Sequence, residues 1–279
     1  MLRKTLLAAV LILSMIAVMS GTTGGAAGSM PISIYVNEKE IATDVSPFIQ
    51  NGTTFVPVRA ICGAMRIENI VWNGSDRTVT IKDLNEIQFT VGEKYAFING
   101  KKHVLSAPAV IREGRTMVPV RLLAEAFGAL VGWDGTLYCV EISKSGLNVS
   151  PECIAAKYSK DDLMWLARLV EAESCGEPIT GQIAVANVVL NRVASREYPD
   201  TIYGVIFDRK HGVQFQPTAN GTIYNTPSRS CVIAAKRALA GENNIGNCMY
   251  FLNKSIATST WIVENRDYYT TINNHSFYV

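Results

Sequence analysis

The sequence holds only three histidines, no Cys-x-x-Cys pair and no His-Glu-x-x-His stretch. Little is therefore available from which to build a metal centre. A structural zinc site wants four Cys or His ligands, and a catalytic one wants three plus an open position. The missing Cys-x-x-Cys also removes a thioredoxin-like dithiol. Dense runs of Lys and Arg are lacking and the net charge is only +2, which argues against nucleic acid as a partner. Long apolar runs are lacking as well. The stretch from Leu6 to Met19 covers about 14 residues, short of the roughly 20 that span a bilayer.

That apolar run has a meaning of its own. Arg3 and Lys4 precede it and the small-residue stretch "SGTTGGAAGS" follows it. This is the order of regions in a secretory signal, expected over residues 1–29, with a retained N-terminal anchor as the other reading. Either puts the remainder outside the cytoplasm, secreted or in the cell envelope. The chain has 279 residues, 48% hydrophobic and 18% charged, enough for two domains. Six cysteines (Cys62, Cys139, Cys153, Cys175, Cys231, Cys248) permit disulfides in an exported protein. Cys231 and Cys248 are the first pair to test; for each cysteine the alternative is a small buried apolar side chain.

A repeat follows. "TTFVPVRAICGAMRIENIVWNGSDRTVTI" (53–81) returns as "RTMVPVRLLAEAFGALVGWDGTLYCVEI" (115–142), with Thr54, Pro57, Arg59 and Trp72 matched by Thr116, Pro119, Arg121 and Trp133. Each unit reads as a hairpin, a strand at "VPV", one short helix and a strand pair around the Trp. "NG" at 51–52 and 99–100 signals hairpin turns. Arg59 and Arg121 are expected to tie down backbone carbonyls, with anion binding as the other reading, and the two Trp to pack in the core rather than to form a ligand platform. Residues 30–144 thus resemble the small repeat domain named for the N-terminal domain of copper amine oxidases, an appendage of exported Gram-positive proteins. The resemblance implies an accessory module that docks to the envelope or to an accessory protein, and neither copper nor oxidase activity.

Residues 145–158, polar and without periodicity, are expected to be a linker, and 159–279 a second domain. "YSKDDLMWLARLVEAES" reads as a helix with Ser159 as N-cap and two aspartates in its first turn. Leu163, Leu166, Val170 and Glu173 are spaced 3, 4 and 3 on one stripe, so Glu173 continues the buried face. Glu171 lies to one side, in reach of Arg168. Gly176 is expected to end the helix in the left-handed conformation, and Glu177 falls beyond it. Burial and the negative end of the helix dipole both disfavour ionised Glu173. A general acid has that property; so has a partly buried glutamate hydrogen-bonded to backbone. Asn187 and Asn191 sit at i, i+4 on the next helix, facing a cleft or bracing the first helix. The later segments mix aromatics with amides, as a sugar-binding groove requires and as core packing also explains.

The run "ARLVEAESCGEPITGQIAVANVVLNRV", then "YPDTIYGVIF", "QFQP", "CVIAAKRALAGE", "YFLN" and "NHSFY", resembles in order the SleB-type cell wall hydrolases, the spore cortex-lytic enzyme family. The resemblance implies an α+β chain: a small β-rich repeat domain of two ββαβ-like units, then a lysozyme-like, mainly helical domain with a small β element. It implies peptidoglycan as substrate, cleaved by a lytic transglycosylase mechanism without cofactor or metal, on spore cortex or vegetative wall. Glu173 is the implied catalytic acid. Glu177, Gln214, Phe215, Tyr250, Asn253 and His275 are the candidate substrate contacts. The family commonly has a basic residue where this chain has Cys175. Asp200 and Asp208 are available should water be the acceptor.

Three rivals stand beside this reading. A zinc amidase acting at the muramic acid–L-alanine bond would draw on His211 and His275. A cysteine peptidase would pair Cys175 with one of them. A non-catalytic wall-binding protein needs only the repeat domain and the late aromatics.

Overall fold

Tight turns set the first domain. The computed structural model describes residues 30–210 and 212–279, so the expected export signal and His211 lie outside the described residues. The hairpin pairs Asn51-Gly52, Asn99-Gly100 and Glu113-Gly114 all have positive φ at both positions, the two-residue turn that matches strand twist. Strands β1 (Ser33–Val36) and β2 (Lys39–Ile41) form a hairpin, and β3 (Phe48–Gln50) and β4 (Thr53–Pro57) a second. After helix α1 (Val58–Ala64) come β5 (Asn69–Asn73), β6 (Thr78–Lys82), β7 (Glu86–Thr90), β8 (Tyr95–Ile98) and β9 (Lys101–Val104), an antiparallel sheet in chain order. The second copy runs β10 (Val110–Arg112), β11 (Arg115–Pro119), α2 (Val120–Ala126), β12 (Leu130–Asp134) and β13 (Cys139–Ser143).

The expected pair of units is therefore present, and the two meet about a local two-fold. β4 and β11 pair antiparallel with Val56 opposite Val118, each the other's repeat counterpart. The N-terminal hairpin serves the second unit: β1 lies parallel to β13. Its sheet is completed by β14 (Ile154–Ser159), paired with β2. This corrects the expected linker over 145–158. The segment is a short turn at Pro151–Cys153 and then a strand, because the open edge of β2 offers its backbone hydrogen-bond partners.

Two further expectations for this domain are corrected. Trp72 and Trp133 are 41% and 44% exposed: they share a strand face with Ile70 and Val131, but β5 and β12 are edge strands and no further strand covers the indoles. Arg59 and Arg121 are exposed as well, and Arg121 reaches Glu125 at 3.4 Å rather than a carbonyl.

In the second domain the expected N-cap is found: Ser159 and Asp162 form a reciprocal capping box at the start of α3 (Lys160–Ser174). Leu163, Leu166 and Val170 are almost fully buried along it. Gly176 keeps a negative φ, correcting the expected left-handed stop. The helix ends instead where Pro178, with no amide hydrogen, caps α4 (Ile179–Ala194). Ile183 to Val189 of α4 are buried all round, because the helix is sandwiched. Ile183, Ala186 and Val189 face a helical core, while Ala184, Val185 and Val188 face Ile245, Cys248 and Phe277.

Short helices α5 (Ile202–Ile206) and α6 (Pro217–Asn220) lead to α7 (Arg229–Leu239), which packs on both α3 and α4. Then come β15 (Tyr250–Leu252), α8 (Trp261–Asn265), β16 (Tyr268–Ile272) and β17 (His275–Tyr278), the strands forming a sheet in the order β15-β17-β16. Cys231 and Cys248 lie in the cores on the two sides of α4, and all six cysteines are free thiols, which corrects the expected disulfide.

The two domains share a core. Met30, Tyr35, Leu137 and Cys139 of the first pack into the apolar cluster of α3, α4 and α7. Lys160 bridges them, bonding to Asp134 at 3.1 Å and to Glu141. Lys236 donates to the carbonyl of Pro31 at 2.8 Å, and burial pushes its ammonium down to about 8. No helix among the described residues is long and apolar enough to cross a membrane.

Candidate active site

Glu173 is the last outward-reaching side chain of α3 before the turn, and that turn is itself held. Ser174 donates to the carbonyl of Val170 at 2.8 Å, and the buried amide of Gln182 donates to the carbonyls of Cys175 and Glu177 at 3.3 and 3.0 Å. The carboxyl faces a cleft of about 540 Å³ lined also by Arg192, Gln214, Tyr250, Asn253 and Trp261. Burial alone pushes Glu173 up from 4.5 to about 7; no charged neighbour contributes. It is the only carboxyl group among the described residues that line the cleft.

The rest of the cleft mixes aromatic and amide side chains with aliphatic ones such as Val213, Leu252 and Ile256. Phe215 and His275 line it too, so five of the six candidate contacts meet there with Glu173. Phe215 is only 2% exposed, a floor rather than a free ring face. His275 stacks edge-on against Phe251 with a ring separation of 5.2 Å; burial lowers its pKa, with the Glu177 charge opposing. Burial thus favours the neutral imidazole. Glu177 is outside the lining. Its carboxylate accepts from the side chains of Asn273 at 3.0 Å and Asn274 at 2.9 Å, in the turn between β16 and β17. Burial would raise that carboxyl, but these hydrogen bonds outweigh it and hold it below the usual range.

Several neighbours stand apart from the cleft. Glu171 accepts from the backbone N–H of Ser228 at 2.8 Å, at the start of α7, and so does not pair with Arg168 as expected. Arg168 lies over Trp165 at 5.0 Å. Asn187 and Asn191 neither face the cleft nor brace α3: they donate to the carbonyls of Glu242, Gly246 and Cys248, at 2.8–2.9 Å. Cys175 is exposed and, like Asp200 and Asp208, does not line the cleft.

Residues 176–278 match the family model described as Cell Wall Hydrolase, and residues 35–142 match Copper amine oxidase N-terminal domain. The chain belongs to the cell wall hydrolase family. A spore cortex-lytic enzyme of Bacillus cereus is 44% identical over 105 residues, 38% of this chain and 39% of that enzyme. One from Halalkalibacterium halodurans is 41% identical over 109 residues, 39% of this chain and 32% of that enzyme. The chain thus spans 39% and 32% of the length of these curated relatives. A solved structure, the catalytic domain of the germination-specific lytic transglycosylase SleB from Bacillus anthracis, is 41% identical. The match covers 44% of this chain and 98% of that one, with a TM-score of 0.41.

Two features of the hydrolase domain escaped the sequence reading. Arg192 is 5% exposed beneath the cleft, ringed by Tyr198, Phe215 and Tyr250 at 5.0–5.6 Å, and donates to the carbonyl of Met249 at 2.8 Å. Its one available signal was a charge at the end of an otherwise apolar helix. Tyr250 accepts from Arg266 at 2.8 Å and from Tyr198 at 3.1 Å, a network that joins three separate chain segments and leaves no local pattern.

Proposed function

We propose that the chain cleaves the glycan strand of peptidoglycan between N-acetylmuramic acid and N-acetylglucosamine as a lytic transglycosylase, with Glu173 as its single acid–base group. The observation that carries this reading is a lone cleft carboxyl that burial pushes up to about 7. A carboxyl with that pKa is protonated in a useful fraction at neutral pH and can donate to a leaving-group oxygen. Hydrolysis by the ordinary glycosidase route needs two carboxyl groups. One group suffices when the nucleophile belongs to the substrate.

Glu173 gives its proton to the bridging oxygen as the glycosidic bond breaks. The resulting carboxylate then takes the proton of the muramic C6 hydroxyl, whose oxygen closes on C1 to form the 1,6-anhydro ring. The proton inventory balances over one turnover, and Glu173 ends as it began. Tyr250 and Trp261 supply flat faces for pyranose rings, Gln214 and Asn253 supply amides for hydroxyl and N-acetyl groups, and His275 adds an imidazole to the cleft wall. Arg192 positions Tyr250 and Phe215 from below. Glu177 holds the β16–β17 turn beside the cleft. The curated relatives are named spore cortex-lytic enzymes, which supports spore cortex as the substrate. No observation favours the amidase, since the cleft has one imidazole and one carboxyl group among its described residues.

The test is digestion of purified cortex and vegetative wall followed by mass spectrometry of the soluble products. Anhydromuropeptides are expected, resistant to EDTA in the reaction and absent with Glu173→Gln. Reducing muramic ends, or free stem peptides, would overturn the mechanism.

A further inference from the structure

The repeat domain carries two matched grooves. The first, about 380 Å³, is formed by Trp72, Ile70 and Val79 of one unit with Arg59 at the start of α1, and is closed by the β10–β11 hairpin of the other unit. The second, about 550 Å³, is formed by Trp133, Val131 and Val140 with Arg121, and is closed by the β3–β4 hairpin. Every one of these residues is the repeat counterpart of its equivalent, and the two-fold between Val56 and Val118 exchanges the grooves. Neither unit alone can make one, because each groove needs the other unit's hairpin tip.

The two indoles share one feature of their seating, although Trp133 also packs edge-on against Tyr138 at 5.0 Å. Each is followed after one residue by a glycine, Gly74 or Gly135, whose missing Cβ would stand 3.4 or 3.7 Å from the indole nitrogen. Each indole thus lies in contact with its turn while remaining partly open to water. An exposed tryptophan on an edge strand is a liability that a core role would have avoided. Here it occurs twice in register, beside an exposed arginine each time.

We propose that these grooves are a pair of glycan-binding sites for the sugar strands of peptidoglycan, and this assignment rests on the proposed function. A flat apolar face beside polar groups suits a pyranose ring with its equatorial hydroxyls. Arg59, which has no ion-pair partner among the described residues, suits the carboxylates borne by muramic acid and its stem peptides. The two-fold presents the grooves with opposite polarity, so they take two strands of the meshwork rather than one directional strand twice. Two weak sites on one insoluble polymer hold the domain by avidity.

The experiment uses the full chain in a Glu173→Gln background, so that binding is read without cleavage, sedimented with purified sacculi. Each single change, Trp72→Ala or Trp133→Ala, is expected to weaken binding by about tenfold, and the double by roughly a hundredfold. Should the double lose its cooperative melt, Arg59→Glu with Arg121→Glu reads the same grooves from exposed positions. Displacement by peptide-free glycan strands supports the proposal. Undiminished binding by both double variants, or displacement only by free stem peptides docking along the edge strands, overturns it. Muropeptide release by the wild type is scored separately, so a failure of the catalytic reading shows up there and not in the sedimentation.

Discussion

Glu173 is set by where one carboxyl group sits. Removing a general acid costs typically about 10²–10⁴-fold in rate, so under the proposed mechanism Glu173→Gln should lower product release by about that much while sedimentation with sacculi persists. The pH profile has a definite sign. In the proposed mechanism protonated Glu173 is the donor, so kcat/KM should fall about tenfold per unit above roughly pH 7 and flatten below it. Stability runs in the same direction. The folded protein holds this proton up to about 7 and the unfolded chain releases it near 4.5, so stability declines as pH rises through that window. Glu173→Gln should therefore be more stable than wild type by about 2 kcal/mol at pH 8, after allowing for partial solvent access, with the gain vanishing near pH 4.5. Paired thermal melts at the two pH values measure it; equal differences at both would show that burial does not penalise the ionised group.

Among the elements, helix ends decide how the cleft is held. Glu171 satisfies the N–H of Ser228 at the start of α7, the task usually given to an N-cap side chain. Burial acts to raise the Glu171 carboxyl, and the Ser228 hydrogen bonds more than offset it. Glu171→Ala should cost about 1 kcal/mol, read as a lower midpoint in urea. Glu177 works across a longer distance, tying the turn at Asn273 and Asn274 to the end of α3. Glu177→Ala should loosen that hairpin and raise KM more than it lowers kcat. A fall in kcat with KM unchanged would mean that Glu177 acts on the reacting atoms instead.

For the whole molecule, the shared core makes two sequence domains into one cooperative body. Tyr35 and Leu137 are buried against helices of the hydrolase domain, and Lys160 is held by Asp134 and Glu141 across the junction. Burial opposes the Lys160 charge, but the two carboxylates outweigh it and raise its pKa. Calorimetry should show a single transition for the described body. Lys160→Met leaves two partly buried carboxylates facing each other and should cost about 2–3 kcal/mol, with part of the loss recovered on adding Glu141→Gln.

The duplicated "VPVR…W" units, the capping box at Ser159 and the stripe through Leu163, Leu166 and Val170 to Glu173 were all legible in the chain, because each is a local pattern of period or spacing. So was the separation of Glu173 from Glu171 on the helix, though not the partners of either. Trp72 and Trp133 were misread because an edge strand and a central strand look the same in one sequence; only the sheet order tells which strand lacks a neighbour to cover it. Cys231 and Cys248 were misread because spacing says nothing about which side of α4 each occupies. Arg192 beneath the cleft, and the turn that Glu177 holds, join residues about 60 to 100 positions apart. Local order follows from turn, cap and period, which act within a few residues. Partnership follows from which surfaces exclude water together, and that is settled only when the chain closes on itself.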